Sequence, residues 1–84
     1  MFFLFEQGVE RRHALAQMAK LRAAGVACDA DYAGRSLKGQ RTQLARSGAG
    51  GSVLVTAEGA EVRTRRDAEP VQVAVDRIAE VLLG

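Results

Sequence analysis

Side chains able to do acid–base, nucleophilic or metal chemistry are few in this sequence, and they are scattered. His13 is the sole histidine and Cys28 the sole cysteine. A zinc site needs several such ligands at set spacing, and a nucleophile needs a base within hydrogen-bond reach. Neither pattern is present. His13 reads as a surface histidine. Cys28 alternates with apolar neighbours and has no adjoining basic residue, so it reads as a buried, inert thiol. Asp29 and Asp31 sit on one face of an expected strand, about 7 Å apart by strand geometry. No nucleophile accompanies them, and solvated edge charges are the expected reading. The glycine-rich GAGGS at 48–52 follows a helix and precedes a strand, the reverse of the order in phosphate-binding loops, so it reads as a connector. No catalytic, cofactor-binding or metal set is expected.

The cations are more informative. Twelve Lys and Arg stand against ten Asp and Glu, for a net charge of +2, and ten of the twelve are arginine. That excess is too small for a polybasic tail, but arginine suits bidentate contact with phosphate. Arg35 lies beside the expected start of the second helix, whose N–H groups and partial positive charge would reinforce an anion site. Lys38, Arg41 and Arg46 follow along that helix. Arg63 and Arg65 project from one face of a later strand, with Arg66 at its end. On spacing alone the set reads first as a solvated charged face, and contact with an RNA backbone is the second reading. Readers of single-stranded RNA usually add exposed aromatics for stacking. Only Tyr32 is available for that, because the three phenylalanines fall in a core-like strand.

Length and pattern then say what must hold these residues. With 84 residues and 48% hydrophobic content, the chain is expected to form one small domain over 1–84, burying about 60–65% of its unfolded surface. A deep enclosed active site is not expected. MFFLF is too short for a signal-peptide core, and no apolar run approaches the roughly 20 residues of a membrane helix. One cysteine fits a reducing cytoplasm. The first strand begins at once, which suggests a fragment of a longer chain.

The run FFLFE (2–6) reads as a buried strand. From Val9 to Ala24 the period is helical, with Ala14, Leu15, Met18 and Leu21 within about 120°, and Gly25 stands where a left-handed cap is expected. VACDADY (26–32) alternates as a strand, and Ser36 is a partial N-cap for a helix running to about Ser47. SVLVTA (52–57), a turn at Glu58-Gly59 and AEVRTRR (60–66) read as a hairpin. VQVAV (71–75) is a short extended piece, and Asp76 is expected to cap a last helix over 77–83. The order β-α-β-α-β-β-(β)-α implies an α/β domain with a mixed, mostly parallel sheet of four to five strands and three helices.

The stretch ALAQMAKLRAAGVACDADYAGRSLKGQRTQLARSGA resembles the C-terminal anticodon-binding domain of class IIa aminoacyl-tRNA synthetases, and within them the histidyl branch. Leu15-Ala16, Leu21-Arg22, Gly25-Val26, Asp31-Tyr32, Gly34 to Lys38, Gln40 and Gly48-Ala49 fall on that family's positions, and VAVDRIAEVL resembles its last helix. The resemblance implies a non-catalytic, tRNA-binding domain that holds the anticodon stem-loop. Its parent would ligate histidine to tRNA-His using ATP in a separate catalytic domain, as a cytoplasmic homodimer. RTRR at 63–66 resembles the strand that supplies an anticodon-reading arginine in the threonyl relative, with Arg65 the nearest counterpart and Arg63 alongside. Arg35, Lys38, Arg63, Arg65 and Arg66 are therefore the expected RNA contacts. Three features depart from the pattern: a shortened hairpin at TAEG, Arg41 where an apolar residue is usual, and EPV before the last strand. An alternative is a regulatory paralogue, a subunit in histidine biosynthesis that has kept the fold and lost tRNA recognition.

Overall fold

The apolar run at the start of the chain becomes the strand around which the other elements are arranged. In a computed structural model, which describes residues 1–32, 36–64 and 69–84, β1 (Phe2–Phe5) lies between β2 (Asp29–Ala30) and β3 (Ser52–Thr56). The hairpin strand β4 (Gly59–Arg63) and then β5 (Val71–Val73) follow outward. β1 is parallel to β2 and β3, whereas β3–β4 and β4–β5 are antiparallel. Three helices complete the domain: α1 (Arg12–Ala23), α2 (Leu37–Ser47) and α3 (Ile78–Leu83), the last preceded by a 3-10 turn at Val75–Arg77. The expected α/β class and three helices are present, and the mixed sheet, expected with four to five strands, has five, joined by two parallel and two antiparallel pairings.

All four residues of β1 are buried because both its edges and both its faces are covered. Phe3 and Phe5 join Val53, Val55, Ala60 and Val62 on one face, packed with Ala14, Met18 and Leu21 of α1 and Ile78 and Ala79 of α3. Each such large side chain contributes about 1.5–3 kcal/mol when fully buried. Phe2 and Leu4 point to the opposite face, where α2 packs on β1. α1 ends as the sequence indicates. Gly25 takes φ 90°, Val26 N–H donates to Leu21 O at 2.9 Å and Gly25 N–H to Arg22 O at 3.0 Å, which satisfies carbonyls the helix leaves open.

Several expectations are corrected. Leu15 is 39% exposed and Gln17 is 4% exposed. The buried stripe of α1 is therefore Ala14, Gln17, Met18 and Leu21, and the exchange gives Gln17 Oε1 a hydrogen bond from Ala79 N at 2.9 Å. Gln17 thus caps α3 from another helix, and Asp76 does not cap it. β2 is only two residues long, because past Ala30 the edge of β1 belongs to Gln40. Phe5 N–H donates to Gln40 Oε1 at 2.7 Å and Gln40 Nε2 donates to Phe5 O at 2.8 Å, so one amide side chain does the work of a missing strand residue. Asp31 is buried rather than solvated beside Asp29. In the hairpin the loop is Ala57–Glu58, and Gly59 opens β4 at φ 140°. A Cβ at Gly59 would stand 2.9 Å from Val73 O.

Candidate nucleic-acid interface

Three helices do not cover a five-stranded sheet evenly. α1 and α3 share one face, whereas α2 alone covers the other, over β1. Beyond β1 this second face is formed by Ser52, Leu54 and Thr56 of β3, Glu61 and Arg63 of β4, and Gln72 of β5, none of them buried. It is a mostly polar shelf beside α2. Alternation along GAEVR puts Glu61 and Arg63 on this shelf together, with Ala60 and Val62 in the core.

α2 sets Arg41 beside that shelf. Ser36 Oγ accepts from Gly39 N–H at 3.4 Å, the loose cap the sequence suggested. Gln40 is the buried anchor, so Lys38, Arg41 and Arg46 point into solvent. Arg41 lies about 60° from Lys38 around the helix and Arg46 about 140° from Arg41. Arg41 and Arg63 meet across the groove, lining a recess of about 60 Å³ with Leu4, Ser52, Leu54 and Glu61. Ser52 and Arg63 also border a wider slot of about 370 Å³, whose apolar wall includes Leu44, Ala45 and Gly48.

Of the expected contacts, Arg63 is exposed and lines this groove, Lys38 is exposed on α2, and Arg35, Arg65 and Arg66 lie outside the described residues. Other arginines are already engaged. Arg11 lies 4.5 Å over the Phe5 ring and donates to Asp31 O at 3.4 Å. Arg22 donates to Cys28 O at 2.9 Å and to Tyr32 Oη at 3.1 Å. Arg77 pairs with Glu80 at 3.0 Å, and that hydrogen bond holds the Glu80 carboxyl below its ordinary value. Among the described residues, no hydrogen bond or ion pair occupies the side chains of Lys38, Arg41 or Arg63. Tyr32 is 61% exposed, but it follows β2, at the sheet edge away from β4. The two residues the sequence reading left out of the site are Arg41, treated as a departure, and Glu61, whose alternation with Arg63 was the available signal.

A second cleft, of about 610 Å³, opens at the other end of β3, between Val9, Val55 and Val75. Glu10, Glu58 and Asp76 rim it, with His13. Three carboxylates oppose phosphate there, so the cleft is a poor nucleic-acid site despite its size. Cys28 is half-buried rather than buried as expected; what burial it has pushes its thiol upward, against the N-terminal ammonium and Arg22. Among the described residues no group of His, Cys, Asp and Glu could hold a metal, and no helix is long and apolar enough to cross a membrane.

The fold is that of a histidyl-tRNA-synthetase-like anticodon-binding domain, on the similarities that follow. No family model matches the chain. A histidine–tRNA ligase of Rubrobacter xylanophilus is 46% identical over 57 residues, covering 68% of this chain and 13% of that protein. The crystal structure of apo S. aureus histidyl-tRNA synthetase matches with a TM-score of 0.75 at 25% identity, over 95% of this chain and 25% of that one. The chain is a histidyl-tRNA-synthetase-like domain, and it spans only about 13% of the curated relative's length.

Proposed function

We infer that this domain grips the anticodon stem-loop of a tRNA, tRNA-His by its relatives, and is non-catalytic by itself. Its parent would be a cytoplasmic, homodimeric histidine–tRNA ligase, with ATP and histidine handled in a separate catalytic domain. The observation that supports this reading is the pair Arg41 and Arg63, unpaired and facing one groove on the uncovered half of the sheet. Lys38 extends the same positive surface, and Arg35, Arg65 and Arg66 are proposed to add phosphate or base contacts. Guanidinium planes can stack on bases where aromatic side chains are lacking.

The test is binding of a tRNA-His anticodon stem-loop at two salt concentrations. Each phosphate neutralised adds about 0.7–0.9 to the slope of log K against log salt. Arg41→Ala and Arg63→Ala should each lower that slope by a little under one. Salt-independent binding, or affinity unchanged by both substitutions, sinks the reading. A regulatory paralogue is the second reading, favoured by the two-residue loop Ala57–Glu58 where the family carries a longer turn. It predicts no stem-loop binding and a parent chain without intact class II motifs.

A further inference from the structure

The groove assigned to RNA contains one acidic side chain that phosphate contact alone does not use. Glu61 sits midway along β4, opposite Leu54 on one side and Gln72 on the other. It is half-buried, and it shares the recess beneath α2 with Arg41 and Arg63. Among the described residues no hydrogen bond or ion pair engages its carboxylate. A carboxylate in a phosphate groove repels the ligand unless the ligand also brings donors to it.

An ionised carboxylate only accepts, through two oxygens, and a guanidinium only donates. The matching base has two adjacent donors on one edge and acceptors beside them. Guanine has this arrangement, with N1–H and N2–H₂ side by side and O6 and N7 as acceptors. Cytosine and adenine offer a single amino group next to a ring acceptor, which faces a carboxylate unfavourably. Uracil offers one N3–H between two carbonyls. The recess alone is smaller than a base, but it shares Ser52 and Arg63 with the wider slot. Only a base edge would enter the recess, with its ring left on the side of the slot that Arg63 borders.

Resting on the RNA-binding reading above, we propose that Glu61 selects an unpaired guanine of single-stranded RNA, with Arg41 and Arg63 holding its acceptor side and the adjoining phosphate. Arg41 then belongs to the selecting site, although that position is apolar in the family pattern.

The 84-residue chain is titrated with short single-stranded RNAs of uridine that carry one central guanosine, inosine, adenosine or uridine. The guanosine oligomer should bind roughly 5- to 100-fold more tightly than all-uridine, the range of a good bidentate base contact. Inosine, which lacks the N2 amino group, should lose most of that preference on the unaltered protein. Glu61→Gln should abolish the preference while leaving all-uridine binding equal or tighter. If wild type shows no preference for guanosine over inosine, or if Glu61→Gln tightens every oligomer by the same factor, Glu61 merely repels phosphate. Either result overturns the proposal and leaves RNA binding standing. Failure of every oligomer and of the anticodon stem-loop to bind overturns both.

Discussion

Replacing Gln40 by leucine tests whether one side chain joins α2 to the sheet. Gln40 is 1% exposed, and its amide makes two hydrogen bonds with Phe5, at 2.7 and 2.8 Å. Leucine fills similar space and offers neither donor nor acceptor, so the N–H and C=O of Phe5 stay buried without those partners. Each such loss costs about 1–3 kcal/mol, hence about 2–6 kcal/mol together. A domain of this size has a total stability of about 4–12 kcal/mol. With a urea dependence of about 1 kcal/mol/M, the unfolding midpoint should fall by roughly 2 M or more. Gln40→Glu separates hydrogen bonding from volume. The glutamate can accept from Phe5 N–H but cannot donate to Phe5 O until protonated, so its deficit relative to wild type should shrink as pH falls. Because α2 carries Lys38 and Arg41, RNA affinity should also drop under conditions where the leucine variant remains folded. A cost below about 0.5 kcal/mol, the level of an ordinary surface change, would refute the argument for Gln40.

Gln17→Leu should loosen α3, since Ala79 N–H loses its acceptor at 2.9 Å. The expected cost is about 1–2 kcal/mol, with faster hydrogen exchange at Ala79 than in β1. Cys28 should react slowly with thiol reagents at neutral pH and faster on the alkaline side, because burial raises its pKa. A raised folded pKa means its contribution to stability is complete below the unfolded thiol value and lost as pH rises through the folded one. A small alkaline fall in the unfolding midpoint, removed by Cys28→Ser, is the measurement.

Elements whose cause is local were legible from sequence. Four consecutive apolar residues marked β1, Gly25 marked the end of α1, and two strand-like runs about a short turn marked β3 and β4. Gln17 and Gln40 were not legible, because their backbone partners lie 62 and 35 residues away. A polar residue that is buried on account of a distant partner leaves no periodic trace. Those two contacts also explain the errors nearby: Leu15 was assigned the place of Gln17, Asp76 was assigned its capping role, and β2 was drawn past the point where Gln40 takes over. The site was legible in part for the same reason. Lys38 and Arg63 could be chosen from their own elements, whereas the meeting of Arg41 with Glu61 and Arg63 depends on where α2 lies against β4.

The two clefts at opposite ends of β3 have a consequence for how a ligand arrives. β3 spans about 13 Å over its five residues, with Glu10, Glu58 and Asp76 gathered beyond one end and Arg41 and Arg63 beside the other. That separation exceeds the screening length of about 8 Å at physiological ionic strength, so an approaching polyanion feels each end separately. If the proposed RNA binding holds, the polyanion would be turned before it touches, and collisions at the acidic end would be unproductive. A net charge of +2 therefore understates the attraction at the arginine end. The domain has an electrical front and back, and in a longer chain the acidic back is the side on which neutralising contacts from other protein segments would interfere least with RNA.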